Sequence, residues 1–385
     1  MLDTQTATHP TRRRRWDMLG EAASAAWLPW LTCRCIVLAA LALARYEVSH
    51  LHIVDPKAVS QAHAGLLGWD AGWYANIAAH GYHAVGRSGL RFFPLFPAGA
   101  SLVHHLTSVP AGGATVLLSN GFGFAATMAV YVLARSELGD PGVGRSAAWL
   151  LNLVPAAFST VMGYSDSLLI LLAVGCFYCL RHQRWLWAAG LGLLAGTARP
   201  IGCLLLVPAA CEAIRSVGTI SWRERFARLA AVVAPVAGLL AFLLWAWVEF
   251  GSFTRPLTIQ DDPTRHGQLT DPVITLYHDG VNLLHGHHVG TDLHLPWIIL
   301  TLVLVVVVFR KLPASYGLFV VAVVAVSISG SNLDSFERYA LSAFPLLLGA
   351  ATLLRSRRIE ITVLVLCAVS MFGYALLAFL GAYVP

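Results

Sequence analysis

"GWDAGWYANIAAHGYH", residues 68–83, sets three aromatic side chains, Trp69, Trp73 and Tyr74, around one carboxylate, Asp70, and then runs on through His80 and His83. What flanks this nest decides the fold. Apolar segments approach the roughly 20 residues needed to cross a hydrocarbon core of about 30 Å, and they recur along nearly the whole chain. The 385 residues are 57% hydrophobic and 12% charged, too little polar surface to coat a soluble globule of this size. The chain therefore reads as an all-α polytopic membrane protein, with a short cytoplasmic tail at 1–26 and one membrane-embedded domain over 27–385.

Working outward from the nest, apolar segments fall at 27–46, 112–134, 146–161, 165–180, 185–198, 200–214, 229–249, 294–309, 314–330, 337–354 and 359–383. Positive charge orients them, because arginine and lysine are retained on the cytoplasmic side. The clusters are Arg12 to Arg15, Arg181 with Arg184, Arg215 through Arg228, Arg310 with Lys311, and Arg355 with Arg357 and Arg358. All share one side if the chain crosses about eleven times, N-terminus inside and C-terminus outside. The first segment then reads as a retained signal anchor. The net charge of +6 is spent on these flanks, so nucleic acid is not an expected partner and membrane lipid is.

That parity leaves two large outer loops, 47–111 and 251–293. The first contains "RFFPLFPAGASLVHH", residues 91–105, which is apolar enough to tempt a further crossing. A crossing there would throw every later arginine cluster outside. The stretch is expected to be interfacial, interrupted by Pro94 and Pro97.

The residues that are costly near a membrane collect on the outer side: Asp70, His80, Arg91, Tyr164, Asp166, Arg199, Asp261, Asp262, Arg265, Asp334, Glu337 and Arg338. Ionisable groups at such depth face a cavity by default, so a shared site is expected. A helix over 69–80 puts Asp70, Trp73, Tyr74 and Ile77 on one face. Apolar surroundings raise a carboxyl's proton affinity and suit it to act as a general base. The alternative makes Asp70 a helix cap beside an interfacial aromatic belt. Asp166 can likewise cap a helix. Arg199 needs an anion, either a phosphate that fits its fork or Asp166 itself. Glu337 and Arg338, adjacent on a helix start, point apart. The histidines, "HGHH" at 285–288 included, match no zinc spacing and read as surface residues, and the seven cysteines as small buried hydrophobes.

Taken together, "WDAGWYANIAAHGY" (69–82), "RFFPLFP" (91–97), "YSDSLLILL" (164–172) and "GLLAGTARPIG" (192–202) resemble the PIG-V-type mannosyltransferases. These form a branch of the GT-C class of integral-membrane glycosyltransferases. The resemblance is strongest over residues 66–215, and "FERYALSAFPLLL" (336–348) is similar to the family's late arginine-containing helix start. The family often has Glu where this chain has Asp166. Membership implies a GT-C-like bundle and inverting transfer of mannose from a polyprenyl-phosphate-mannose donor lipid to a hydroxyl of a glycolipid or protein on the extracytoplasmic face.

Such a transfer needs a base, for which Asp70 is the candidate, and cations for the departing phosphate, for which Arg199, Arg338 and Arg91 are. Trp69, Trp73, Tyr74, His80, Tyr164, Asp166 and Glu337 are expected around the acceptor or sugar. No cofactor is required, since phosphate is a good leaving group, although a divalent metal is compatible with the chemistry. The same bundle could instead use another polyprenyl-phosphate sugar. A lipid or glycolipid transporter or flippase is the competing class, and a scaffolding subunit a third. Transport is disfavoured because the polar residues gather at one face and no inverted repeat is evident.

Overall fold

The computed structural model describes residues 12–51, 55–215, 220–261, 270–285, 294–331, 333 and 335–384. Asp262, Arg265, His287, His288 and Asp334, singled out from the sequence, lie outside the described residues. The apolar segments fold as helices, the arrangement that satisfies backbone polar groups where there is no water. Among the described residues four helices are long and apolar enough to cross a membrane: α1 (Arg12–His50, from Asp17 onward), α5 (Ala111–Leu138), α10 (Trp222–Phe250) and α17 (Arg357–Phe379). Between them stand shorter helices: α6 (Pro141–Leu153), α7 (Asp166–Arg181), α8 (Trp185–Ala198), α9 (Leu206–Arg215), α13 (Leu295–Lys311), α14 (Ala314–Ser327), α15 (Phe336–Ser342) and α16 (Pro345–Ala351).

Side-chain size is sorted opposite to a soluble protein. Leu38, Leu244, Val248, Leu366 and Val369 are exposed, whereas Ala22, Ala26, Ala40 and Ala44 of α1 are fully buried. Small residues let helices approach where no hydrophobic effect drives them together. The closest approach is between α8 and α10. A Cβ added at Gly196 would lie 2.1 Å from the Pro235 carbonyl oxygen, and one at Gly238 equally close to that of Leu193. Any larger residue at either position forces the two backbones apart.

The segment expected as the first outer loop contains α2 (Pro56–Ala64), α3 (Asp70–Val85) and α4 (Leu95–Thr107). Here the expectation for the prolines is corrected. Pro94 is the N-cap of α4 and Pro97 sits in its first turn, so they start the helix where its amides have no partner anyway. α4 packs on α3 and α5, and Phe92, Phe93 and Phe96 are buried in protein. The second loop contains α11 (Arg255–Thr258) and α12 (Pro272–Leu284).

One buried charge was not anticipated. Arg34, in the middle of α1, is 7% exposed and bonds to Asn120 Oδ1 (2.8 Å), Asn152 Oδ1 (3.2 Å) and the carbonyls of Trp30 (3.3 Å) and Thr160 (3.2 Å). It ties α1 to α5, α6 and the turn that follows α6.

Candidate functional site

Several helices end at one level, and each end has a local cause. Proline disfavours helical backbone in the residue before it, so Pro200 holds Arg199 extended (φ −157°, ψ 151°) and closes α8. α7 begins at Asp166 after an unwound stretch, and α15 begins just before Arg338, behind Ser335 with φ 69°. α3 begins at Asp70, behind Trp69 with φ 54°. A positive φ on a tryptophan is strained. It is held by the Gln61 side chain, which accepts from the Trp69 amide at 3.1 Å, and by the Trp69 indole, which donates to the Ala378 carbonyl at 2.9 Å.

These ends bring the distant charges into one chain of contacts. Arg91 Nη2 reaches Asp70 Oδ1 at 3.5 Å, and Arg338 Nη1 donates to Asp70 Oδ2 at 3.0 Å. The Nε of Arg338 lies 3.9 Å from Asp166, which is ion-paired with Arg199. Three guanidinium groups thus share two carboxylates. Arg338 lies over the Tyr164 ring (5.1 Å), and both Arg338 and Arg199 lie against Tyr339 (5.9 and 5.5 Å). A cavity of about 490 Å³ opens beside this chain. Asp70, Arg91, Arg199, Arg338 and Tyr74 line it, with apolar walls from Phe92, Phe93, Ile201, Leu257 and Val326.

Two expectations are corrected, and an alternative left open is decided. Asp70 is the first residue of α3 and not its cap, and its carboxylate is turned to arginine. Its proton affinity is lowered, not raised: burial pushes the carboxyl up, but Arg338 and Arg91 more than offset this and hold it below the usual range. Second, of the two anions expected for Arg199, a phosphate or Asp166, it is Asp166 that pairs with it. Asp166 for its part caps nothing.

Third, of the residues expected around the acceptor or sugar, only Tyr74 lines the cavity, and its hydroxyl is 2.7 Å from Ser165 Oγ. Trp69 packs toward α17, with Lys57 over its ring at 4.9 Å. Trp73 stacks on Phe92 (5.7 Å) as support behind the wall. His80 is exposed on α3 away from the cavity, and Tyr164 and Asp166 lie beneath it. Glu337 does point away from Arg338, as expected, into a buried cluster: it accepts from the Tyr383 hydroxyl (2.7 Å) and lies 2.6 Å from His294 Nδ1.

Sequence reasoning missed Tyr339, Pro256, Leu257, Thr258 and the end of α14 at Ser327 to Gly330, all of which line the cavity. Only Tyr339 carried a signal, as the aromatic next to a costly arginine. Among the described residues no group of three or more His, Cys, Asp or Glu gathers as a metal cluster. Comparison with protein-family models finds no match, and comparison with curated proteins finds none either.

Proposed function

We propose that the chain is an inverting, polyprenyl-phosphate-sugar-dependent mannosyltransferase of the GT-C type. In this reading it crosses the plasma membrane about eleven times, and the Asp70 cavity faces outside. The observation that carries the reading is the Asp70 carboxylate meeting Arg338 and Arg91 at the wall of a cavity that Phe92, Phe93, Ile201, Leu257 and Val326 make largely apolar and to which Asp261 adds a second carboxylate. Asp70 serves as base, and Arg338 and Arg91 receive the donor phosphate. Arg199, locked to Asp166, adds positive field, and Asp166 keeps Arg338 placed.

The step runs as a displacement. The acceptor hydroxyl oxygen attacks the sugar's anomeric carbon opposite the phosphate, and its proton passes to Asp70. The bond from that carbon to the phosphate oxygen breaks, and the electron pair leaves with the phosphate, whose growing charge the guanidinium groups offset. In the resting site the same two arginines depress Asp70's basicity. A bound phosphate draws them off, so the base strengthens once the donor is in place.

The resemblance at residues 66–215 supports the sugar and the lipid carrier, and the acceptor is a glycolipid or a protein. The test is purified chain in lipid vesicles with polyprenyl-phosphate-mannose and acceptor, wild type against Asp70→Asn. Wild-type product with loss of turnover in the variant is expected. Full turnover by the variant removes Asp70 from the mechanism, and lipid movement without a new glycosidic bond replaces the enzyme with a transporter.

A further inference from the structure

A second cavity lies at the other end of the bundle. Its volume is about 540 Å³, and it forms where the start of α6 meets the loop before α17. α17 runs from this cavity to Tyr383, which touches Glu337 beside Arg338. Its 23 residues at about 1.5 Å each separate the two cavities by roughly 35 Å. That is close to the thickness of a bilayer's hydrocarbon core, about 30 Å.

The walls carry three guanidinium groups, Arg145, Arg355 and Arg357, and two carboxylates, Asp140 and Glu360. Both carboxylates are engaged. Asp140 accepts from the Gly142 amide at 2.7 Å, capping α6, and Glu360 accepts from Ser146 Oγ at 2.7 Å and from Arg357 at 2.9 Å. The side chains of Arg145 and Arg355, both exposed, make no hydrogen bond or ion pair among the described residues, and Glu21 acts on Arg145 only from beyond ion-pair distance. Two helices of 13 and 23 residues also aim their positive N-terminal ends here. The cavity therefore presents two guanidinium groups without a direct anionic partner among the described residues.

We infer that this cavity binds a phosphate-bearing anion through Arg145 and Arg355. An unpaired pair of forked guanidinium groups on a walled space matches phosphate better than a single carboxylate. A lipid headgroup is the source the surroundings favour. Ile359, Ile361, Val365, Leu366 and Val369 form an exposed apolar strip on α17 running from the cavity rim, where acyl chains would lie. The polar half of the ligand and the greasy half each have a surface of matching chemistry. The inference is independent of the reaction proposed for the Asp70 cavity.

The test uses full-length chain in nanodiscs of phosphatidylcholine doped with phosphatidylglycerol, with retained lipid counted by native mass spectrometry after mild delipidation. Wild type is expected to retain phosphatidylglycerol. The double variant Arg145→Gln/Arg355→Gln is expected to lose about thirtyfold in that preference, roughly fivefold per charge near an anionic surface. Arg310→Gln/Lys311→Gln, an exposed basic pair at the end of α13, is the control and should keep it. A second arm titrates inorganic phosphate against detergent-purified protein. Binding there that vanishes in the Arg145/Arg355 variant, with no lipid preference, identifies a soluble phosphate as the ligand. Equal retention of phosphatidylglycerol by all three proteins, with no phosphate binding, overturns the inference.

Discussion

Arg34 and Arg338 are equally hidden, each 7% exposed, yet they sit in opposite kinds of surroundings. Arg34 is held by amide and carbonyl oxygens alone, against the Trp30 ring at 4.7 Å, and the space near Asn152 and Thr160 amounts to about 10 Å³. Arg338 is held by carboxylates and faces about 490 Å³ of open cavity. Neutral acceptors spread a charge without cancelling it, and in a closed space nothing can take their place. Carboxylates cancel it, and in an open one a substrate anion can displace them. Burial alone therefore does not mark function; the replaceable partner beside empty volume does.

The comparison breaks most visibly at Asp70. Asp70→Asn should leave folding intact and lower turnover by about 10²- to 10⁴-fold, the usual worth of a positioned base. Arg34→Met should do the reverse. It leaves the side-chain oxygens of Asn120 and Asn152 without their donor in a dry interior, the Thr160 carbonyl keeping those of Ser119 and Ser167, a loss of about 3 kcal/mol in stability. Thermal unfolding in detergent checks the loss, and turnover per folded molecule should stay near wild type. If Arg34→Met instead abolishes turnover in fully folded protein, the contrast between the two arginines is wrong. A smaller effect sharpens it: a Cβ at Gly123 would come within 2.6 Å of Arg34 Nη2. Gly123→Ala should therefore cost about 1 to 3 kcal/mol by overpacking, again without a specific catalytic defect.

Which of these features were legible in the sequence follows from how far apart their causes lie. Arg199 was legible because proline and arginine adjoin inside an apolar run, and Arg338 because a charge there has no cheap explanation. Arg34 had the same signal, an arginine in the interior of 27–46 where Arg45 sits at the edge, but attention to the outer ends of segments passed over a charge at mid-span. The proton affinity of Asp70 could not be read correctly from its neighbours. Its aromatic company comes from three and four residues away, whereas the arginines that dominate it are 21 and 268 residues distant. The apolar cavity wall at Pro256 to Thr258 carries no chemical mark at all, and only tertiary packing puts it there.

The smallest effect concerns pH. Burial raises Asp70's carboxyl and the Arg338 and Arg91 charges lower it further than burial raises it, so the group ionises below the ordinary aspartate value of about 3.9. A carboxyl depressed in the folded state contributes stability that is fully present above its unfolded value and lost as pH falls through the folded one. Between about pH 5 and 8 neither Asp70's contribution to stability nor its ionisation should change. The acid limb of kcat/KM, which reports the free enzyme, belongs below the usual carboxylate range. Arg91→Gln removes one of the three lowering charges while Arg338 still grips the carboxylate and Arg199 acts from further off. The limb should then move to higher pH, with activity above it retained in part. An acid limb at the same pH in wild type and Arg91→Gln would mean that Arg91, at 3.5 Å, is too well solvated to act on Asp70. The depression would then rest on Arg338, with a smaller part from Arg199, and the donor phosphate would need to draw off one contacting arginine instead of two to restore the base.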